Sequence, residues 1–249
     1  MESSTSPQPS LLQSARQWWA DAASRHGRLA ATREFLSVIG EFLRDSTPQR
    51  RRQRYGDAGY DWDYRVNTTS AAVGWRDRLL GVFHSPYQPS EPELFHEMLE
   101  ALLSTAGIDV HDFIFIDLGS GKGRTLLMAS DYPFRSIVGV ELLPGLHRIA
   151  QENLGKYHST SQKCFALQSL CADAATFRFP PEPAVVYLFN PFPEADLRRV
   201  LAHLEQSLRS FPRAVYVLYH NPLLEPVLRD SAVLKKIGGT LQYSLYAFR

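Results

Sequence analysis

From about Glu91 onward, short apolar runs alternate with stretches of helical periodicity, and this rhythm restricts the fold more than any other feature of the chain. Phe113-Ile114-Phe115-Ile116 is continuously apolar, the pattern of a strand buried on both faces. Similar runs recur at 136–140, 165–171, 184–189 and 214–219. Between them lie predicted helices over Glu93–Thr105, Arg124–Ser130, a segment opened by Pro144, and Glu194–Ser210. Alternation of this kind winds helices onto both faces of a mostly parallel sheet. At the end of the chain, 232–237 and 241–248 flank Gly238-Gly239 and read as an antiparallel hairpin turning at the glycines.

The amino-terminal part follows different rules. Residues 1–10 are polar and rich in Ser and Pro, and read as a disordered tail without a signal-peptide pattern. Residues 11–44 carry apolar residues at spacings of three and four, with a break predicted at His26-Gly27. Their apolar stripes need a partner, either the main domain or a second subunit, so a homodimer through these helices is one expectation. Arg50, Arg51, Arg52 and Arg54 then precede an aromatic and acidic stretch, Tyr55 to Tyr64. The arginines read as a solvated helix end or as a contact for an anionic substrate. The aromatic stretch is expected to cover a cleft. Three regions result: a tail (1–10), a helical and lid region (11–90), and the α/β domain (91–249).

Composition narrows the function. A net charge of +1 gives no global field toward nucleic acid, and no apolar run reaches the length of a membrane span. Cys164 and Cys171 are too few for a disulfide framework and stand alone at metal-ligand spacing, so reduced thiols in a cytoplasmic protein are expected, with no metal.

The chemistry is concentrated where the first buried run ends, at Asp117-Leu118-Gly119-Ser120-Gly121-Lys122-Gly123. Glycine at every second position permits a tight turn and close approach of a ligand to the backbone, at the sheet edge where open α/β folds bind ligands. A dinucleotide loop, G-x-G-x-x-G, requires a small residue at 124, which here is Arg124. The order acid-x-Gly-x-Gly-x-Gly instead resembles the first motif of class I S-adenosylmethionine-dependent methyltransferases. That resemblance implies a Rossmann-like, doubly wound, seven-stranded sheet with the hairpin at one end and the helical appendage outside it. It also implies S-adenosylmethionine as cofactor, with the loop around its amino-acid portion and Asp117 near its cationic end.

Three further positions match in order. Glu141 closes the second run and is an acceptor for ribose hydroxyls, as in dinucleotide folds too, with Leu142 beside it. Asp173-Ala174 resembles the adenine-side motif, although an aspartate there also serves as a helix cap. Asn190-Pro191-Phe192 follows the run 184–189 and resembles the Asn-Pro-Pro-aromatic motif of amino- and amide-directed enzymes, with one proline fewer. It implies alignment of a nitrogen nucleophile on a small molecule or protein side chain, while a bare strand-ending turn remains open. The cofactor half is also similar to non-SET histone lysine methyltransferases.

Lesser candidates surround these. Tyr87 is placed to close over the cofactor carboxylate, and Ser90 reads as a helix N-cap with Glu93. Lys122 is expected to be exposed, and Arg124 to bind a carboxylate or be solvated. His220 ends a strand on the same rim, as a base or as a histidine bonded to the backbone. Competing functions are O-methylation of a small molecule, an NAD-dependent oxidoreductase, and a non-catalytic S-adenosylmethionine-binding module. Neither membrane nor nucleic acid is expected as a partner.

Overall fold

A computed structural model describes residues 11–45, 58–69, 89–189 and 192–248, and among these seven strands form one sheet. Strand β1 (Ile114–Leu118) is buried at every position, as its unbroken apolar run requires. It pairs in parallel with β2 (Ser136–Glu141) on one side and β4 (Ala184–Phe189) on the other. β3 (Leu167–Cys171) extends the sheet beyond β2, and β5 (Val215–His220) extends it beyond β4. The chain then doubles back, so that β7 (Tyr243–Phe248) lies antiparallel between β5 and β6 (Leu234–Gly239). The resulting order is β3-β2-β1-β4-β5-β7-β6. Strand direction of travel therefore diverges on either side of β1, which makes the crevice at its carboxyl end the switch point of the fold.

Helices cover both faces. Helix α4 (Pro92–Ala106) buries Phe95, Met98, Leu99 and Leu102, and helix α5 (Arg124–Ala129) is buried throughout. They pack with Phe115, Tyr187 and Leu218 in one apolar cluster. On the other face, α7 (Glu194–Ser210) and α8 (Glu225–Arg229) pack against Ile116, Leu188 and Val217. Helix α6 (Pro144–Lys156) rests on β2 and β3. No helix among the described residues is long and apolar enough to cross a membrane.

The amino-terminal segment forms α1 (Leu11–His26) and α2 (Arg28–Asp45), broken at Gly27 with φ of 83° as expected. The two pack on each other through buried Ala22 and Ala31 and a Trp18–Phe35 ring contact. A short α3 (Ala58–Tyr64) follows.

Two sequence expectations fail here. Ser90 does not cap α4: Glu91 holds the N-cap position, and Ser90 is turned inward to a tyrosine instead. The terminal hairpin does not turn at Gly238-Gly239, which belong to β6; Thr240-Leu241-Gln242 make the turn. Gly239 meets a packing demand, because a Cβ there would stand 2.4 Å from the Tyr243 carbonyl oxygen. Helix α8 has no signal in the periodicity, being only five residues long.

Candidate functional site

The site is assembled where β1, β2, β4 and β5 end. Gly119, Gly121 and Gly123 all have positive φ, at 92°, 55° and 82°, so the alternate-glycine pattern is a conformational requirement. The loop is pinned to the end of β2. The Gly119 and Ser120 amides both donate to the Val140 carbonyl, at 2.8 and 3.1 Å, and the Gly121 amide donates to Glu141 Oε2 at 2.8 Å. Glu141 Oε1 accepts from the Leu143 amide, also at 2.8 Å. Glu141 is thus a buried bracket that ties the glycine loop to the start of α6, and not a rim carboxylate standing clear of the fold. Gly139, unremarked in the sequence, matters for the same loop: a Cβ there would lie 2.6 Å from Ser120 Oγ.

Asp117 is fully enclosed. Burial pushes its carboxyl up to about 7, opposed by the bond from the Thr125 hydroxyl and reinforced by the nearby charge of Glu141. An anion held in so apolar a place calls for a cation. Ser120 Oγ is buried without a hydrogen-bond partner among the described residues. Three left-handed glycines, an orphaned hydroxyl and a buried carboxylate suit a ligand carrying a positive charge, and so fit S-adenosylmethionine.

Other predicted residues fall around this core. Asp173 caps a short turn (Ala174–Thr176), its Oδ1 accepting from the Ala175 amide at 2.8 Å. Ala174 is buried beneath it, and Leu142 is half-buried beside Glu141. Phe192 is half-buried against the cluster beneath α7. Tyr87, Asn190 and Pro191 lie outside the described residues, as do residues 1–10 and the arginines at 50–54.

Lys122 is the clearest reversal. Instead of being exposed it is completely buried, and its Nζ donates to the Thr69 carbonyl at 2.6 Å and to Asn67 Oδ1 at 3.1 Å. Burial draws its ammonium down to about 8, offset partly by Asp61. Arg124 is likewise buried; its Nε donates to Thr68 Oγ1 at 2.6 Å and its Nη2 lies 3.4 Å from Asp61. Asp61 also accepts from the Thr68 and Thr69 amides. Asn153 of α6 completes the lock, bonding both Asn67 and the Lys122 carbonyl. The Arg124 guanidinium lies over the Tyr60 ring, which makes a tilted contact with Tyr64, and Tyr64 in turn meets Tyr157. The segment 58–69 therefore straps down the loop's own cations. Sequence reasoning missed this because the partners stand more than fifty positions apart; the density of aromatic and acidic residues at 60–64 was the available signal.

A second polar group crosses the sheet. Ser90 Oγ and Tyr187 Oη are 2.8 Å apart, and Tyr187 Oη is 2.8 Å from His220 Nδ1. The His220 ring stacks on Phe189 at 3.9 Å, and burial holds its imidazole down at about 4. It lines a cleft of about 230 Å³ with Leu94, Phe189, Asn221, Leu241 and Gln242. A larger cleft of about 470 Å³ is lined by Phe177, Phe179 and the carboxyl end of α7. Among the described residues no group of three His, Cys, Asp or Glu side chains is arranged to hold a metal ion.

No protein-family model matches the chain, and no curated protein matches it. Solved structures do. A magnesium protoporphyrin IX methyltransferase from Synechocystis with bound S-adenosylmethionine is 14% identical, covering 86% of this chain and 96% of its own, with a TM-score of 0.46. A ribosomal protein L11 methylase from Lactobacillus delbrueckii is 14% identical over 62% of this chain and 78% of its own, at a TM-score of 0.42. An RNA methyltransferase from Salinibacter ruber in complex with S-adenosyl-L-homocysteine is 18% identical over 65% and 92%, at 0.39.

Proposed function

We propose that this chain is an S-adenosylmethionine-dependent methyltransferase. The observation that carries the reading is the three-glycine loop at the switch point, flanked by the buried carboxyls of Asp117 and Glu141. In this reading Asp117 faces the cationic methionine end of the cofactor and Glu141 the ribose, while Asp173 and Ala174 stand on the adenine side. The bound cofactor supplies an electrophilic methyl group. The protein's contribution is to align a nucleophile with that methyl and the sulfur, and to exclude water. Asn190-Pro191-Phe192 supports a nitrogen nucleophile on a small molecule or protein side chain. A second reading, an oxygen nucleophile, is favoured by the buried, neutral imidazole of His220 at the same rim.

Calorimetric titration of the purified protein decides between cofactors. S-Adenosylmethionine and S-adenosylhomocysteine bind, and NAD does not. Tight NAD binding with no response to S-adenosylhomocysteine refutes the proposal and restores the oxidoreductase alternative.

A further inference from the structure

His220 carries chemistry that the cofactor site does not use. It ends β5, and its register partner on β4 is Phe189, the residue directly before Asn190-Pro191. The ring is 6% exposed, its plane is fixed by stacking on Phe189, and its Nδ1 is taken by Tyr187. No hydrogen bond reaches Nε2 from the described residues, although the ring lines the cleft at this rim. Tyr187 in turn stands opposite Asp117 in the β1–β4 register, and the Asp117 charge adds to the rise in the Tyr187 phenol. One chain of contacts thus runs from beside the proposed cationic end of the cofactor to an imidazole facing the cleft.

We propose that His220 Nε2 takes the proton of the methyl acceptor, with Tyr187 and Ser90 as the positioning residues that hold the ring in the required tautomer. The proposal rests on the methyltransferase reading above. The acceptor presents an N–H or O–H and is uncharged at its reacting end, since none of the described side chains lining the cleft bears a permanent charge. As transfer occurs, the nucleophile's lone pair bonds to the methyl carbon, and the carbon–sulfur bond breaks with its electrons passing to sulfur. The acceptor proton moves to Nε2, giving an imidazolium, methylated acceptor and S-adenosylhomocysteine. The buried imidazolium then gives its proton to water as product leaves.

The tautomer is the decisive quantity. A neutral ring with Nδ1–H donates to Tyr187, which donates to Ser90, and Nε2 keeps its lone pair. The opposite polarity runs Ser90 to Tyr187 to Nδ1 and leaves a useless Nε2–H. Long-range ¹H–¹⁵N correlation spectra of the full-length labelled protein, assigned with His220→Gln, distinguish the two. We expect Nδ1–H at neutral pH, a mixed tautomer in Tyr187→Phe, and a shift of the Nε2 resonance on adding S-adenosylhomocysteine. An Nε2–H tautomer or an imidazolium at neutral pH overturns the proposal, as does S-adenosylhomocysteine binding that leaves the His220 signals unmoved. Failure of S-adenosylhomocysteine to bind overturns the methyltransferase reading itself, so the two failures are told apart.

Discussion

Glu141→Ala tests the site most sharply, because Glu141 has one task in the structure and a second, separable one in the proposed function. Its carboxylate accepts from the Gly121 and Leu143 amides, each at 2.8 Å, and it is 6% exposed. Hydrogen bonds to a charged group are worth about 1.5–3 kcal/mol each, and two that share one acceptor add imperfectly. Loss of both, with two donors left in a closed environment, lowers stability by about 2–5 kcal/mol. For a protein of this size that is a fall in Tm of roughly 5–15 °C. If Glu141 also accepts from ribose hydroxyls, S-adenosylhomocysteine affinity drops by about 2–4 kcal/mol, or roughly 30- to 1000-fold. Scanning calorimetry reads the first effect and titration calorimetry, well below the transition, reads the second. Glu141→Gln keeps the volume and one acceptor oxygen, and should fall between the parent and alanine in both. A lower Tm with unchanged affinity would reduce Glu141 to a structural bracket. An unchanged Tm would refute the bracket.

Asp117 predicts a pH dependence of cofactor binding. Its pKa of about 7 in the folded protein is raised above the unfolded value, so its contribution to stability is present below about pH 4 and is lost as pH rises through 7. A cationic ligand selects the ionised form, so S-adenosylmethionine affinity should rise by up to about tenfold per unit toward pH 7, with proton release, and then level off. Flat affinity across that window, measured in buffers of different ionisation heat, refutes the role. Asp61→Ala removes the acceptor for Arg124 and for the Thr68 and Thr69 amides, and should cost about 3–5 kcal/mol in urea unfolding; a loss below about 1 kcal/mol would show that the strap is weakly held. Asn190→Ala should reduce turnover by about 10²-fold or more, with S-adenosylhomocysteine binding nearly unchanged, and indifference to the substitution makes it a turn residue.

The sequence alone determined whatever depends on neighbours along the chain. β4 and α7 occupy 184–189 and 194–210 as the apolar run and the helical periodicity require, and Gly27 breaks the first helical segment where expected. The alternate glycines of the loop after β1 were legible for the same reason, since a left-handed turn is a local demand on residue type. What the sequence could not assign was the company each polar group keeps. Lys122 looked like a loop lysine, yet Asn67 and Thr69 meet it across fifty-odd residues and bury it. Ser90 had the local signature of a cap, and lost that role to a tyrosine 97 positions away. Gly238-Gly239 had the signature of a turn, yet pairing with Leu245 and Ser244 of β7 places them in a strand. Periodicity reports which face of an element is apolar, but a polar side chain bonds to whatever the completed sheet brings within 3 Å of it, and that is decided by register and crossover, not by spacing.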